Sequence, residues 1–150
     1  MADPVGLAAS IVGLIAVASK VSKLCYDYCN EATSVRGDIV QLVSEISSLA
    51  SLLEPFTTPA EASRISQTSD SDSMSQLVHQ CTEVLNQLQG ELQCQLNKQS
   101  DRKKRDFVGS LKISLQWPFK KEDTQRRIQK IERLKTTVTL KLQLWVAHMF

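Results

Sequence analysis

The sequence predicts an all-α fold, an antiparallel four- to five-helix bundle, and three observations predict it. Turn-forming residues are scarce: five glycines and four prolines among 150 residues leave long stretches uninterrupted, which favours a few long helices over many short strands. Apolar residues recur at alternating steps of four and three over most of the chain. Hydrophobic residues make up 42% and charged residues 23%, a balance that suits a globular domain with a core of its own.

The first helix opens at Asp3-Pro4, a capping residue followed by proline at the first helical position. Leu7, Ile11, Leu14, Ala18, Val21, Cys25 and Tyr28 form its heptad stripe, and the helix is expected to reach about Glu31. A second helix begins at Thr33 or Ser34 and carries Val35, Ile39, Leu42, Ile46, Leu49, Leu53 and Phe56 before Pro55 and Pro59 end it. The short break near residue 32 makes the two an antiparallel hairpin.

Residues 57–73 contain eight Ser or Thr and one large hydrophobe, Ile65, and are expected to form a long flexible loop between helices two and three. Asp72 or Ser73 caps a third helix with Met74, Val78, Cys81, Leu85, Leu88 and Leu92, which fades near Lys98. Phe107, Val108, Leu111 and Leu115 predict a short fourth helix stopped by Pro118. The last segment starts with Glu122 and Asp123, favourable at a helix N-terminus, and its apolar face is Ile128, Ile131, Leu134, Val138, Leu142, Trp145 and Met149. Alternation over 111–117 and 138–146 is also compatible with strands. Helix is preferred because 125–135 is strongly helical and no turn residue follows it. The chain stops at Phe150 within apolar sequence, and the expectation is one domain, 1–150, forming the N-terminal part of a longer protein.

Catalytic motifs are missing from the sequence. There is no glycine-rich phosphate loop, nucleophile elbow or His-Glu-x-x-His helix, and His79 and His148 have no acid partner nearby in sequence. A non-enzymatic role without metal or cofactor is expected. Cys25, Cys29, Cys81 and Cys94 are read as reduced thiols of a cytoplasmic protein.

Two segments invite a functional reading. Residues 5–18 hold no charge, and as a helix they span about 21 Å, short of the ~30 Å hydrocarbon core. A signal peptide would need a basic leader, and the leader here has Asp3 and no Lys or Arg. The segment is either a core helix covered on several sides or a helix that leaves the bundle and enters a bilayer. The two are compatible if it is buried at rest. Gly6, Ala9, Gly13 and Ala16 form a small-residue face suited to close helix association. The second segment is basic: net charge is −7 over 1–97 and +8 over 98–135. Lys98, Arg102, Lys103, Lys104 and Arg105, near Lys112, Lys120 and Lys121, are candidates for anionic lipid. A solvated loop and an acidic half docking on a basic half are the plainer alternatives. Nucleic acid ranks below these, because no stacking aromatics interleave with the charges.

Residues 117–142, WPFKKEDTQRRIQKIERLKTTVTLKL, carry a resemblance. With the opening Asp3-Pro4-Val5-Gly6-Leu7-Ala8-Ala9-Ser10-Ile11 and the tract from Ile39 to Leu53, they resemble the HeLo-like N-terminal domains of fungal STAND receptors, the NLR-type proteins of innate immunity. Trp117, Pro118, Phe119 and Lys120 occupy the family's turn motif, and Ile131, Leu134, Lys135, Thr136 and Leu140 its following helix. The resemblance spans the chain apart from the Ser/Thr loop. It implies a programmed cell death effector of the kind active in heterokaryon incompatibility, followed by a NACHT or NB-ARC nucleotide-binding module and repeats. It further implies self-association and membrane permeabilisation through the first helix, with recruitment from cytoplasm to plasma membrane on activation. Leu7, Ile11, Val12, Leu14 and Ile15 would be the membrane-active residues. Lys20 and Lys23, at the end of the apolar run, depart from the simplest form of the pattern. The alternative is a homotypic or heterotypic interaction module without membrane activity.

Overall fold

The computed structural model describes residues 4–31, 36–66, 71–105 and 117–149, with side chains over 5–28, 37–64, 73–98 and 117–147. Five α-helices account for nearly all of them: α1 Pro4–Glu31, α2 Arg36–Leu53, α3 Pro59–Ser66, α4 Ser71–Arg105 and α5 Lys121–Met149. No strand occurs among the described residues. The alternating run from Val138 to Val146 is helical: Val138 is buried, while Leu140, Leu144 and Val146 are exposed. The expected cap at Asp3, Cys29, Lys112, the side chains of residues 102–105 and the expected helix near 107–115 lie outside the described residues.

Each heptad stripe faces inward. Leu7, Ile11, Leu14, Ala18, Val21, Cys25 and Tyr28 of α1 are all buried, as are Ile39, Leu42, Ile46, Leu49 and Leu53 of α2. They join Met74, Val78, Cys81, Leu85, Leu88 and Leu92 of α4 and Ile128, Ile131 and Val138 of α5 in one core. Each fully buried large aliphatic contributes about 1.5–3 kcal/mol.

The segment read as a loop over 57–73 contains a helix. Thr58-Pro59-Ala60-Glu61 has the capping-box sequence: Thr58 Oγ1 accepts the Glu61 N–H at 3.4 Å, and proline fills the first helical position. Ala62, fully buried, turns α3 onto α1. Before it, Glu54–Phe56 makes one 3-10 turn that buries Phe56. The third long helix also differs from expectation, running to Arg105 instead of fading near Lys98.

Cross-helix contacts fix the directions. Tyr28 at the end of α1 donates its hydroxyl proton to Leu92 O (2.9 Å), so α1 and α4 run parallel. Gln125 bonds Asp38 at 2.9 Å, Lys135 pairs with Glu45 at 2.7 Å, and Trp145 stacks edge-on with Phe56, so α2 and α5 also run parallel. Arg127 pairs with Glu91 while Lys141 bonds Ser73, which makes α4 and α5 antiparallel. The long helices thus stand in a ring ordered α1, α2, α5, α4. Successive long helices alternate in direction, yet two neighbouring pairs are parallel because the link from α2 to α4 crosses the end of the bundle diagonally. α3 fills that crossing.

The opposite end is closed by the turn before α5. Trp117 meets Tyr28 edge-on at 5.4 Å and Phe119 at 5.3 Å. Its indole N–H donates to Thr124 Oγ1 at 2.9 Å, and that hydroxyl donates in turn to Lys120 O. Arg127 lays its guanidinium 3.8 Å over the Phe119 ring while pairing with Glu91. The Trp-Pro-Phe-Lys motif therefore fastens α5 to α1 and α4.

Trp117→Ala is expected to lower unfolding free energy by about 3–5 kcal/mol in urea titration, against less than about 0.5 kcal/mol for exposed Lys120→Ala. Burial pushes the Cys81 thiol from 9.0 up to about 11. The folded chain keeps a proton that the unfolded chain releases earlier, so this stabilisation is full below pH 9.0 and is lost as pH climbs towards about 11. Thermal melts of Cys81→Ala should show a shallower alkaline decline than the parent chain.

Candidate membrane-facing site

The five residues expected to touch lipid divide between two environments. Leu7, Ile11 and Leu14 are in the core at 2%, 0% and 0% exposure, Ile15 is half-buried, and Val12 is exposed at 49%. The bulky residues are thus committed to holding α2, α3 and α4 in the resting fold. Gly6, Ala9, Gly13 and Ala16 lie together on the opposite, solvent-exposed face. A methyl group added at Gly13 would meet nothing within 4 Å, so that surface is open. The same steps of three and four continue to Lys20, Lys23 and Asp27, all exposed. One outer stripe therefore changes from small and apolar to charged two-thirds of the way along α1.

Charge-free residues 5–18 are too short to span a bilayer, but the apolar character of α1 extends further. Val5–Tyr28, 24 residues, is long and apolar enough to cross, and so is Gly37–Phe56, 20 residues, formed by α2 and the 3-10 turn that follows it. At ~1.5 Å per residue these are about 36 and 30 Å. Candidacy of α2 escaped the sequence reading, because serines and Glu45 interrupt its apolar pattern.

The basic residues gather at one end of the bundle. Lys98 is exposed on α4, whose helical backbone carries residues 102–105 onward from it. Lys120 and Lys121, exposed beside the start of α5, sit at that same end, because α4 and α5 are antiparallel. The apolar start of α1 is at the other end, with Phe56 and Trp145. Head-group attraction and the charge-free part of α1 are therefore separated by about the length of the bundle.

Two grooves run along α5. One, of about 320 Å³ against α4, has Leu88 and Ile131 in its floor and Glu91, Arg126, Arg127 and Lys130 on its rim. The other, of about 560 Å³ against α2, is lined by Ser44, Ser47, Ser48, Ser51, Thr139 and Lys135. Beside the second groove lies the pair Glu45–Lys135, with side chains 18% and 27% exposed. Sequence reasoning did not find this pair, nor the roles of Tyr28, Thr124 and Arg127. The partners Lys135 of Glu45, Leu92 of Tyr28 and Glu91 of Arg127 are distant in sequence, and although Thr124 lies only seven residues from Trp117, no repeating spacing announces their bond. No group of three or more His, Cys, Asp or Glu side chains is placed to hold a metal ion among the described residues.

Neither the curated proteins nor the solved structures yield a match to this chain. The family model described as "Pigment biosynthesis cluster protein PigL N-terminal" matches residues 2–148. The match takes in all five helices and the Trp117 turn. The chain belongs to this family of pigment biosynthesis cluster protein N-terminal domains, a family associated with HeLo-like fungal domains.

Proposed function

We propose that this chain is a membrane-targeting effector domain of a fungal innate-immunity receptor, inducing cell death by oligomerising and permeabilising a membrane through α1. The observation that carries the proposal is the two-faced character of α1: a bulky apolar face in the core and a small-residue face in solvent. Release exchanges protein neighbours of Leu7, Ile11 and Leu14 for lipid tails of similar polarity, so the main cost is lost packing. Helix association through Gly6, Ala9, Gly13 and Ala16 offsets part of it, because backbones approach closely where side chains are small. Anionic lipid held by Lys98 and residues 102–105, at ~1 kcal/mol per basic residue, would concentrate the domain at the plasma membrane. The domain acts without catalysis or cofactor, under control of nucleotide-binding and repeat domains downstream.

One observation favours a second reading, an interaction module that binds protein and not lipid. Leu140, Leu144 and Val146 at the end of α5 are 55%, 59% and 45% exposed.

Dye release from phosphatidylserine-containing vesicles separates the two. Leu14→Glu is a poor probe because it would unfold the core, whereas Val12→Glu and Ala16→Glu change exposed positions. Each should cut release by about tenfold or more, since a carboxylate near a helix centre costs ~2.5–3.5 kcal/mol in a bilayer. Melting temperature should stay within a few degrees of the parent. A parent chain that self-associates yet neither sediments with vesicles nor releases dye would leave the protein-binding reading standing.

A further inference from the structure

The bundle is divided by composition into two hairpins. Both helices of the α1–α2 hairpin are long and apolar enough to cross a bilayer; among the described residues no segment of α4 or α5 is. Only residues 32–35 separate α1 from α2, so α1 cannot travel far without its partner. Asp38 near the start of α2 and Glu54 in the 3-10 turn that follows it flank the apolar stretch, about 24 Å apart along a helix, so each falls within a few ångströms of an edge of a ~30 Å hydrocarbon core. In α1, Lys20 and Lys23 lie about 22 and 27 Å from Val5, close enough to the far head groups for their long stems to reach water. One charge remains within the apolar length of α2, Glu45, and it pairs at 2.7 Å with Lys135 on the helix that would stay behind.

From this placement we infer that the α1–α2 hairpin, and not α1 alone, is the unit that enters the bilayer, and that the Glu45–Lys135 pair holds it in the bundle at rest. The inference deepens the membrane reading above and rests on it. While α2 lies against α5, Glu45 is matched and largely shielded from water. Entry into lipid separates the carboxylate from its ammonium partner and carries it into hydrocarbon, so the pair opposes release twice over. Ser44, Ser47, Ser48 and Ser51 do not oppose it comparably, because a helical serine can satisfy its hydroxyl on a carbonyl one turn earlier. The solvent-side edge of the contact between α2 and α5 is thus polar, while beneath it Leu42, Ile46 and Leu49 face the core that α1 and α5 share.

The test measures hydrogen exchange and dye release by the full 150-residue chain with phosphatidylcholine–phosphatidylserine vesicles. Peptides from both α1 and α2 should gain protection on vesicles. Glu45→Gln should release dye at least about tenfold faster, because it removes an intramembrane charge whose cost exceeds one decade in rate. The exchange of partners, Glu45→Lys with Lys135→Glu, should restore the parent rate, which a merely loosened core would not do. If α1 peptides become protected while α2 peptides exchange as in solution, the hairpin inference is overturned and the α1 reading survives. Failure of the exchanged pair to slow release would overturn the restraining role of Glu45 and Lys135. Absence of both protection and leakage in the parent chain would remove the membrane reading and this inference together.

Discussion

The buried stripe of α1 from Leu7 to Tyr28 is the surface on which α2, α3 and α4 converge, and the rest of the bundle depends on it. Because it repeats at alternating steps of four and three, one face of the helix is filled from end to end and the opposite face is left free. The free face is then unconstrained by the core and can be built of glycine and alanine. A helix so divided has its large side chains committed to one state and its small ones available for another. Any activity that uses the whole of α1 in lipid must therefore take apart the core that hides it.

How much of this was legible from sequence varies with the range of the interaction. The long helices follow from period alone, and the structure buries the stripes of α1, α2 and α4, Val35 alone of them lying outside the described residues. Helix α3 was missed although its capping-box sequence, Thr58 to Glu61, is a local signal, because the surrounding serines and threonines outweighed it. The ring order and its parallel neighbours were not legible. They are set by contacts such as Tyr28 with Leu92 and Gln125 with Asp38, between residues far apart in the chain. For the candidate site, the small-residue face was readable as a face, but which side of α1 it occupies depends on where the other helices pack.

The Trp117 turn shows how a recognisable motif can have a mechanical meaning first. Its tryptophan, phenylalanine and the Lys120 carbonyl are used in joining three helices at one end, and the proline marks where α5 can begin. Lys120 itself points to solvent at the basic end, where Lys98 and Lys121 also lie. The opposite charges of the two halves of the chain are only partly spent on each other. Glu45–Lys135 and Glu91–Arg127 are such pairings across helices, and among the described residues Lys98, Lys120, Lys121 and Lys130 remain exposed.

At the far end, Trp145 donates its indole proton to Arg64 O, the carbonyl of a residue in the last turn of α3, and leans on Phe56. α3 in turn lies against α1. A chain of contacts thus leads from the final turns of α5, through a single tryptophan and an eight-residue helix, to the first helix of the domain. The last turns of α5 are in this way moored to α1 at the end where the charge-free part of that helix begins.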